Sequence, residues 1–546
     1  MFTIKVKGKA YRFTDKIVLK ELANDLGIEC YVATVNNRLR ELNYYINYDC
    51  EVTFLTLNHF DAVRVYETSL RYLIIMALER LYPEIRVRFS QCVSRSLACH
   101  VEGVKKKVDA KFISELAAEM RAIVDADYLI ERKKLTKEEA NKIYHAKGYY
   151  DKNEVIKYRT EDTVNVYQCE DYINYMFGYM VPSTGYLKYF QLKLYHPSFI
   201  VQFPRAEENG KIPEFEDSPS FGRMLRQARE WSVMCEAETI AQFNRHIEEG
   251  TVADFVNMCE TRHDNMLAEL GLIIKEDIAN IRLIAIAGPS SSGKTTFSKR
   301  LRIELMTRGI KSVKISIDDY YLNRRQAPLD DNGNPDLEHI EALDIDLFNQ
   351  HLLALVQGEE VEIPHFDFKI GKRVRGYKLK INQETPIIIE GIHALNERLT
   401  SSIPKHQKYR IYISPTSQIN IDYHNPIIAS EIRMLRRIVR DAKFRKTPPS
   451  ATFSMWASVR KGEFTWIYPY QEQADYIFNS ELTYELSVMK KYALPVLESI
   501  DRNNEYFISA NRLVKFLKYF KDIDDSYVPC NSLLREFIGG SSFQRR

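Results

Sequence analysis

The chain is 546 residues long, with 77 basic and 74 acidic side chains and 45% hydrophobic residues. That length exceeds what one hydrophobic core organises, so two to four domains are expected, and no long block of one charge argues for nucleic-acid binding by composition. Eight cysteines without a C-x-x-C pair argue against a zinc site and a disulfide framework; with no leader pattern and no run of membrane-spanning length, a soluble cytoplasmic protein is expected.

Residues 1–60 read as a small β-grasp module: Phe2, Ile4 and Val6 alternate with polar residues, Gly8-Lys9 turns the chain, and Tyr11 and Phe13 return. A helix is expected from Leu19 to Leu26, capped by Gly27, then strands at Val32 to Val35 and Glu51 to Leu55. Residues 61–205 mix a helix from Ala62 to Leu81, stopped by Pro83, with strands and a second helix from Phe112 to Ile123, an α+β pattern. The run Glu207-Glu208-Asn209-Gly210-Lys211-Ile212-Pro213 is rich in breakers and marks a boundary. Leu225, Ala228 and Trp231 at helical spacing predict a connecting helical arm over 206–275. From 276 to 520 strands alternate with helices, as an α/β fold with a parallel sheet flanked by helices requires. The apolar run from Val528 to Gly540 predicts that 521–546 is a tail docked on another domain, such as the helical arm.

Within the α/β segment, Gly288-Pro289-Ser290-Ser291-Ser292-Gly293-Lys294-Thr295 fits G-x-x-x-x-G-K-[ST] between an apolar strand, Leu283 to Ala287, and a helix, Thr296 to Met306. Its glycines permit backbone angles that turn successive N–H groups and the helix N-terminus toward phosphates. Lys294 would reach the β- and γ-phosphates and Thr295 would hold Mg²⁺, so ATP and Mg²⁺ are the expected cofactors, with Thr296 counted in the ATP-binding set. The next strand, Val313 to Ile317, runs into Asp318-Asp319-Tyr320-Tyr321; strand ends face the ligand crevice, and Asp318 is the candidate base or metal ligand. A third strand, Pro386 to Ile389, ends in Glu390, which would orient a Mg²⁺-bound water. Arg433, Arg436, Arg437, Arg440, Lys443, Arg445 and Lys446 lie along a helix expected from Glu431 to Lys446 that runs out at Pro448-Pro449. Some would close over the phosphates as a lid; a solvated basic face explains any single one of them equally well.

With these motifs in place, residues 281 to about 500 resemble the uridine kinase and phosphoribulokinase family of P-loop kinases. The matching pieces stand in family order: GPSSSGKTT at 288–296, DDYY at 318–321, DLEHIEALD at 336–344, PHFDF at 364–368, EGIHALN at 390–396 and RRIVRD at 436–441. The resemblance implies Asp318 as base, assisted by Lys294 and Arg440, with Glu390 as metal-side carboxylate beside Thr295. It implies Arg437, Arg440 and Arg445 as mobile arginines, and an acceptor side formed by Tyr321, Glu338, His339, Phe366, Arg373 and Arg437. The nucleoside pocket departs from the family: Leu337-Glu338-His339 replaces an F-D-H run, and Phe366-Asp367-Phe368-Lys369-Ile370-Gly371 lacks the tyrosine and histidine that read a pyrimidine. Arg324, Arg325, Lys369, Lys372, Arg373 and Arg375 in the same segments would suit an acidic or phosphorylated acceptor.

Residues 1–205 resemble the N-terminal part of threonyl-tRNA synthetase, a TGS domain followed by an editing domain, on Arg80-Leu81-Tyr82-Pro83 and Val181-Pro182-Ser183-Thr184-Gly185-Tyr186. The editing histidines and cysteine of that family fall here on Thr68, Tyr72, Met176 and Met180, so editing activity is expected to be absent. His100 beside Cys99 is read as structural. The TGS resemblance implies RNA or nucleotide contact, for which Lys5, Lys7, Lys9 and Arg12 with Lys105, Lys106 and Lys107 offer a basic surface. The first reading is an ATP- and Mg²⁺-dependent kinase acting on a hydroxyl of a small molecule, a nucleoside first. An RNA- or ribosome-linked regulatory ATPase and a kinase for a phosphorylated sugar or organic acid stay open, as does a homo-oligomer. No membrane partner is expected.

Overall fold

The structure is a computed structural model that describes residues 1–103, 107–330, 333–367 and 370–543. Lys105, Lys106, Phe368 and Lys369, singled out above, lie outside the described residues. Residues 2–55 form a mixed five-stranded sheet in the order Lys9–Phe13, Phe2–Val6, Cys50–Leu55, Val32–Val35, Arg38–Arg40, with Phe2–Val6 parallel to Cys50–Leu55. Alternation sends Phe2, Ile4 and Val6 inward, where they meet Leu19 and Leu22 of the helix Leu19–Asp25. The first turn falls on Lys7 and Gly8, both at positive φ, so Lys9 opens the returning strand and the turn sits one residue earlier than the sequence reading.

The helix Phe60–Leu81 is buried along most of its length and forms the spine of the next unit. Around it stand an antiparallel sheet in the order Gln191–Tyr195, Ser198–Gln202, Leu97–Glu102, Arg86–Gln91 and the helix Ala110–Ala126. That helix starts before Phe112 because Asp109 caps it, accepting from the Phe112 N–H at 2.9 Å. A smaller antiparallel sheet joins Glu131–Thr136, Thr163–Cys169 and Tyr172–Asn174.

Three helices follow, Pro219–Met234, Ile240–Glu248 and Val252–Glu276. They are more than a connecting arm: Phe255, Leu267, Leu270 and Ile274 share one apolar core with Ile284, Ile286 and Phe297 of the α/β unit. A helix with an apolar stripe must bury it, and here the parallel sheet's own helix, Lys294–Thr307, supplies the surface.

The α/β unit is built on five parallel strands in the order Val313–Ser316, Ile387–Glu390, Leu283–Ala287, Lys408–Ser414, Tyr476–Asn479. Leu283–Ala287 and Ile387–Glu390 are buried throughout, as central strands covered on both faces are. The register sets Ile286 and Ser316 opposite Glu390, so the carboxyl ends of three strands converge on one crevice.

A hairpin, Asn420–Asp422 with Asn425–Pro426, leaves this unit and enters the one before it. Its Asp422 pairs at 2.9 Å with Lys152, both side chains fully buried. The Phe89 N–H donates to the Tyr423 carbonyl at 2.9 Å, Asn420 Nδ2 to the Phe89 carbonyl at 2.7 Å, and the Phe177 N–H to Asn425 Oδ1 at 2.8 Å. The guanidinium of Arg71 donates to the His424 carbonyl. Near the C-terminus, Ser532 Oγ donates to Glu260 on the helix Val252–Glu276 at 2.6 Å, while Leu533, Leu534, Phe537 and Ile538 are buried, so the tail docks on the helices as its apolar sequence requires. Among the described residues no helix is long and apolar enough to cross a membrane.

Candidate active site

The loop 288–293 leaves the strand Leu283–Ala287 and delivers Lys294 into the first turn of its helix. Glycine is required at two points: a Cβ on Gly288 would stand 2.1 Å from the Ile413 carbonyl, and Gly293 adopts φ +90°, a left-handed value, with Leu533 pressed against it. Arg436 and Ser480 brace the loop from behind, Ser480 Oγ donating to the Ser292 carbonyl at 2.6 Å and Arg436 Nη1 to the Ser291 carbonyl at 3.4 Å. On its other side Arg437 Nη1 donates to Ser290 Oγ at 3.1 Å. Lys294 Nζ folds back over the loop, donating to the carbonyls of Gly288 at 2.8 Å and Pro289 at 3.1 Å. Burial lowers the affinity of Lys294 for its proton, with Glu390 and Asp318 opposing that shift. The hydroxyls of Ser291 and Ser292 are buried without a hydrogen-bond partner among the described residues, a donor set that fits phosphate oxygens.

Glu390 ends its strand beside this loop. Thr295 Oγ1 donates to Glu390 Oε1 at 3.3 Å, and Lys314 Nζ approaches the same oxygen at 3.2 Å. Burial alone would push this carboxyl up; Lys314 and Lys294 prevail and hold it below the usual carboxylate value, so it is anionic. Asp318 follows the neighbouring strand on the open wall of the crevice. Its side chain reaches solvent, yet crowding by the cleft walls and then the Glu390 charge push its carboxyl up to about 6. Two carboxylates with divergent proton affinities in one crevice divide naturally into a metal-side group and a proton acceptor. The described residues hold no cluster of three or more His, Cys, Asp or Glu side chains suited to a metal. Mg²⁺ with ATP fits that pattern, because this ion is held by one or two protein oxygens plus phosphates rather than by a protein cage; Thr295 and Glu390 are the residues that would hold it, which leaves Asp318 as the proton acceptor.

The basic helix divides into two groups. It spans Ala429–Arg440, passes into a π-turn at Asp441–Arg445, and Pro449 then begins a new helix, so the prolines open an element as well as ending one. Arg433 is buried against Glu463, its Nη2 at 2.8 Å from Oε2, and Arg436 against Glu485, its Nε at 3.1 Å from Oε1. These two are fixed braces of the fold, not members of a lid. Arg437, Arg440 and Arg445 instead share the buried Asp441, at 3.4, 3.0 and 3.4 Å. Arg445 is exposed, and the charge of Arg440, with burial second, lowers it to about 10.

On the acceptor side the predicted residues do not all face the crevice. Arg373 is fully engaged: Nε donates to the Tyr321 carbonyl at 2.9 Å, Nη2 to the Tyr320 carbonyl at 2.7 Å, and Nη1 to Asp344 at 2.9 Å. It clamps the turn that carries Asp318, with all three of its guanidinium nitrogens engaged within the protein. Phe366 is a core residue, its ring 5.6 Å from that of Tyr321, whose hydroxyl donates to the Leu337 carbonyl at 3.0 Å. His339 caps a short turn, Nδ1 accepting from the Glu341 N–H at 3.1 Å, with its ring 4.5 Å from Trp466. Glu338 stays a site candidate: burial pushes its carboxyl up to about 7, opposed by Arg437. Sequence reasoning missed His393, buried beside the Glu338 backbone and lowered by that burial to about 3, and Asp319, whose carboxylate lies 2.8 Å from His365 Nδ1.

It also missed the tail's second contact. Glu536 Oε2 accepts from the Thr296 N–H at 3.0 Å, at the N-terminus of the loop's helix. Backbone N–H groups there are the donors that phosphates use. In the N-terminal half, Tyr72 donates to the carbonyls of Tyr167 and Tyr172 at 3.1 and 3.0 Å, and Met176 and Met180 are buried in the core. His100 bonds to Ser90 at 2.9 Å and Ser198 at 3.1 Å inside the sheet, and burial lowers it to about 3.

Fold and crevice define a P-loop α/β architecture. Residues 283–487 match the model of the Phosphoribulokinase / Uridine kinase family. Two solved structures are similar: a possible uridine kinase from Bacillus stearothermophilus (17% identity, 42% of this chain and all of that one, TM-score 0.26) and a D-glycerate 3-kinase from Cryptococcus neoformans (14%, 46% and 87%, TM-score 0.23). At these scores neither bears on function. The N-terminal region matches threonine–tRNA ligases, at 28% identity over 195 residues for that of Thermotoga petrophila and over 202 residues for that of Clostridium kluyveri. These matches cover 35% and 36% of this chain, which spans 30% of each ligase's length.

Proposed function

We propose that this protein is an ATP- and Mg²⁺-dependent kinase that transfers the γ-phosphate to a hydroxyl of a small molecule, with a nucleoside as the first acceptor class. The observation that carries this reading is the meeting of Lys294, Thr295, Glu390 and Asp318 at the ends of adjoining parallel strands. Asp318 takes the acceptor's proton; Lys294 and the arginines around Asp441 stabilise the charge on the transferring group. Bound Mg²⁺ would offset charge between the phosphates and Glu390. A nucleoside is kept ahead of a phosphorylated acceptor because Arg373, one of the cations that favoured an acidic substrate, is tied to the protein. The reading divides the chain into a TGS-like module at 1–60, a degenerate editing-like unit at 61–205, helices at 206–275, the kinase at 276–520 and the tail at 521–546.

The test is Asp318→Asn in the full chain, assayed by ATP binding and by ADP release across a panel of nucleosides, sugar phosphates and hydroxy acids. Transfer is lost while ATP binding is retained. Retained transfer would remove Asp318 as the base, and a panel on which the wild type releases no ADP would refute the kinase.

A further inference from the structure

A cavity of about 510 Å³ lies away from the kinase crevice, where three parts of the chain meet. Its walls are the strand Arg38–Arg40, the first half of the helix Phe60–Leu81, the segments around 158–165 and 175–179, the residues that lead from the hairpin into the basic helix, and the C-terminal helix Phe507–Leu517. The volume sits within the ~300–1,000 Å³ range of small-molecule sites. Ten basic and four acidic side chains line it; Arg132 and Lys518 also pair with Glu41 and Glu498 outside the lining, which leaves a surplus of four positive charges in a protein whose overall balance is +3.

The four carboxylates are already engaged. Asp61 lies 3.2 Å from Arg64, Glu67 3.5 Å from Arg71, and Glu161 3.5 Å from Arg159, while Glu431 is shared between Arg512 and Arg64. Arg38, Arg40, Arg502 and Lys515 have no carboxylate at ion-pair distance among the described residues. The Nε atoms of Arg40 and Arg512 are buried without an acceptor. A surplus of donors around a half-open cavity favours an anion, since unpaired buried donors and crowded like charges both destabilise the empty site. The uncharged part of the wall mixes aliphatic side chains such as Leu39, Val65 and Ile427 with the aromatic rings of Tyr158, Tyr175, Phe177, Tyr179 and Phe507, surfaces on which a planar ring stacks.

We propose that this cavity is a binding site for a free nucleotide, its phosphate held by the cations and its base by the aromatic wall, separate from the nucleotide of the P-loop. The site is coupled to the crevice by position. Glu431 stands in the first turn of the helix Ala429–Arg440, and the last turn of that helix presents Arg437 to Ser290 of the P-loop. A phosphate that takes Arg512 or Arg64 from Glu431 acts on the start of the element that carries the site arginines.

The test uses the full chain with the P-loop filled by saturating AMP-PNP and Mg²⁺, titrated calorimetrically with AMP, CMP, GMP and UMP. Inorganic phosphate and a short single-stranded RNA serve as comparison probes. Arg502→Glu and Lys515→Glu are the test variants, because both side chains are exposed at the rim and neither supports the core. At least one mononucleotide binds at one per chain, and each variant weakens it by about tenfold or more, the loss of one charge-assisted contact, while AMP-PNP binding is unchanged. Three results each overturn the proposal: no mononucleotide binds beside AMP-PNP; binding is indifferent to both variants, which places it in the kinase crevice; or phosphate or RNA binds as well as or better than every mononucleotide.

Discussion

Glu536→Gln is the most incisive single substitution, because it changes one charge and almost no volume. The carboxylate accepts from the Thr296 N–H at 3.0 Å, at the head of a 14-residue helix whose N-terminus is the phosphate-binding end. A charge-assisted hydrogen bond to a backbone N–H is worth about 1.5–3 kcal/mol, and interaction with the helix dipole adds ~0.3–1 kcal/mol. Glu536 is half-buried and glutamine retains an acceptor oxygen, so the difference is smaller, about 1–2 kcal/mol. A nucleotide that must displace the carboxylate binds with that much less free energy, so Glu536→Gln tightens ATP binding by about 5- to 30-fold. Calorimetry of ATP with Mg²⁺ on the full-length variant reads this directly, with the thermal midpoint as a control for folding. Unchanged or weaker binding would refute the displacement argument and make the tail a fixed wall of the nucleotide site.

Other substitutions and conditions probe the remaining parts. A base must be deprotonated to work, so with the Asp318 carboxyl at about 6, kcat/KM rises with pH through that value and levels above it; a profile flat from pH 5 to 7 would count against Asp318. Gly293→Ala places a Cβ at φ +90° against Leu533 and weakens ATP binding by about tenfold or more, whereas Leu533→Ala, which opens space without backbone strain, does not. Asp422→Ala leaves Lys152 buried without its partner and costs about 3–5 kcal/mol, measured as a fall in the urea midpoint.

The loop at 288–295, Asp318 and Glu390 were readable because each ends an apolar strand, and the rule that ligands gather at the carboxyl ends of a parallel sheet turns strand positions into site positions. Alternation in residues 2–13 and apolar spacing in 60–81 made the N-terminal elements readable in the same way. What escaped depends on contacts between segments remote in sequence. Glu536 meets Thr296 across 240 positions, and no local pattern marks it as a helix cap. The basic helix shows the same limit: seven cations look alike in sequence, and only Glu463, Glu485 and Asp441 separate the braces from the arginines near the loop. Arg373 looked like a ligand for an acidic substrate because the carbonyls of Tyr320 and Tyr321 that engage it are visible only once the turn at Asp318 is built.

The hairpin at 420–426 bears on how such a chain can be inherited. Its fully buried Asp422 and the backbone hydrogen bonds of Tyr423 and His424 are satisfied by residues of the ligase-like half. A kinase unit released by a cut in the 206–213 segment would carry an uncompensated carboxylate and unpaired main-chain groups on its surface, and the other half would retain an empty polar socket. The two halves are therefore not interchangeable modules joined by a tether. A change that reshapes the socket around Lys152, Phe89 and Arg71 is therefore expected to need an answering change between residues 420 and 426.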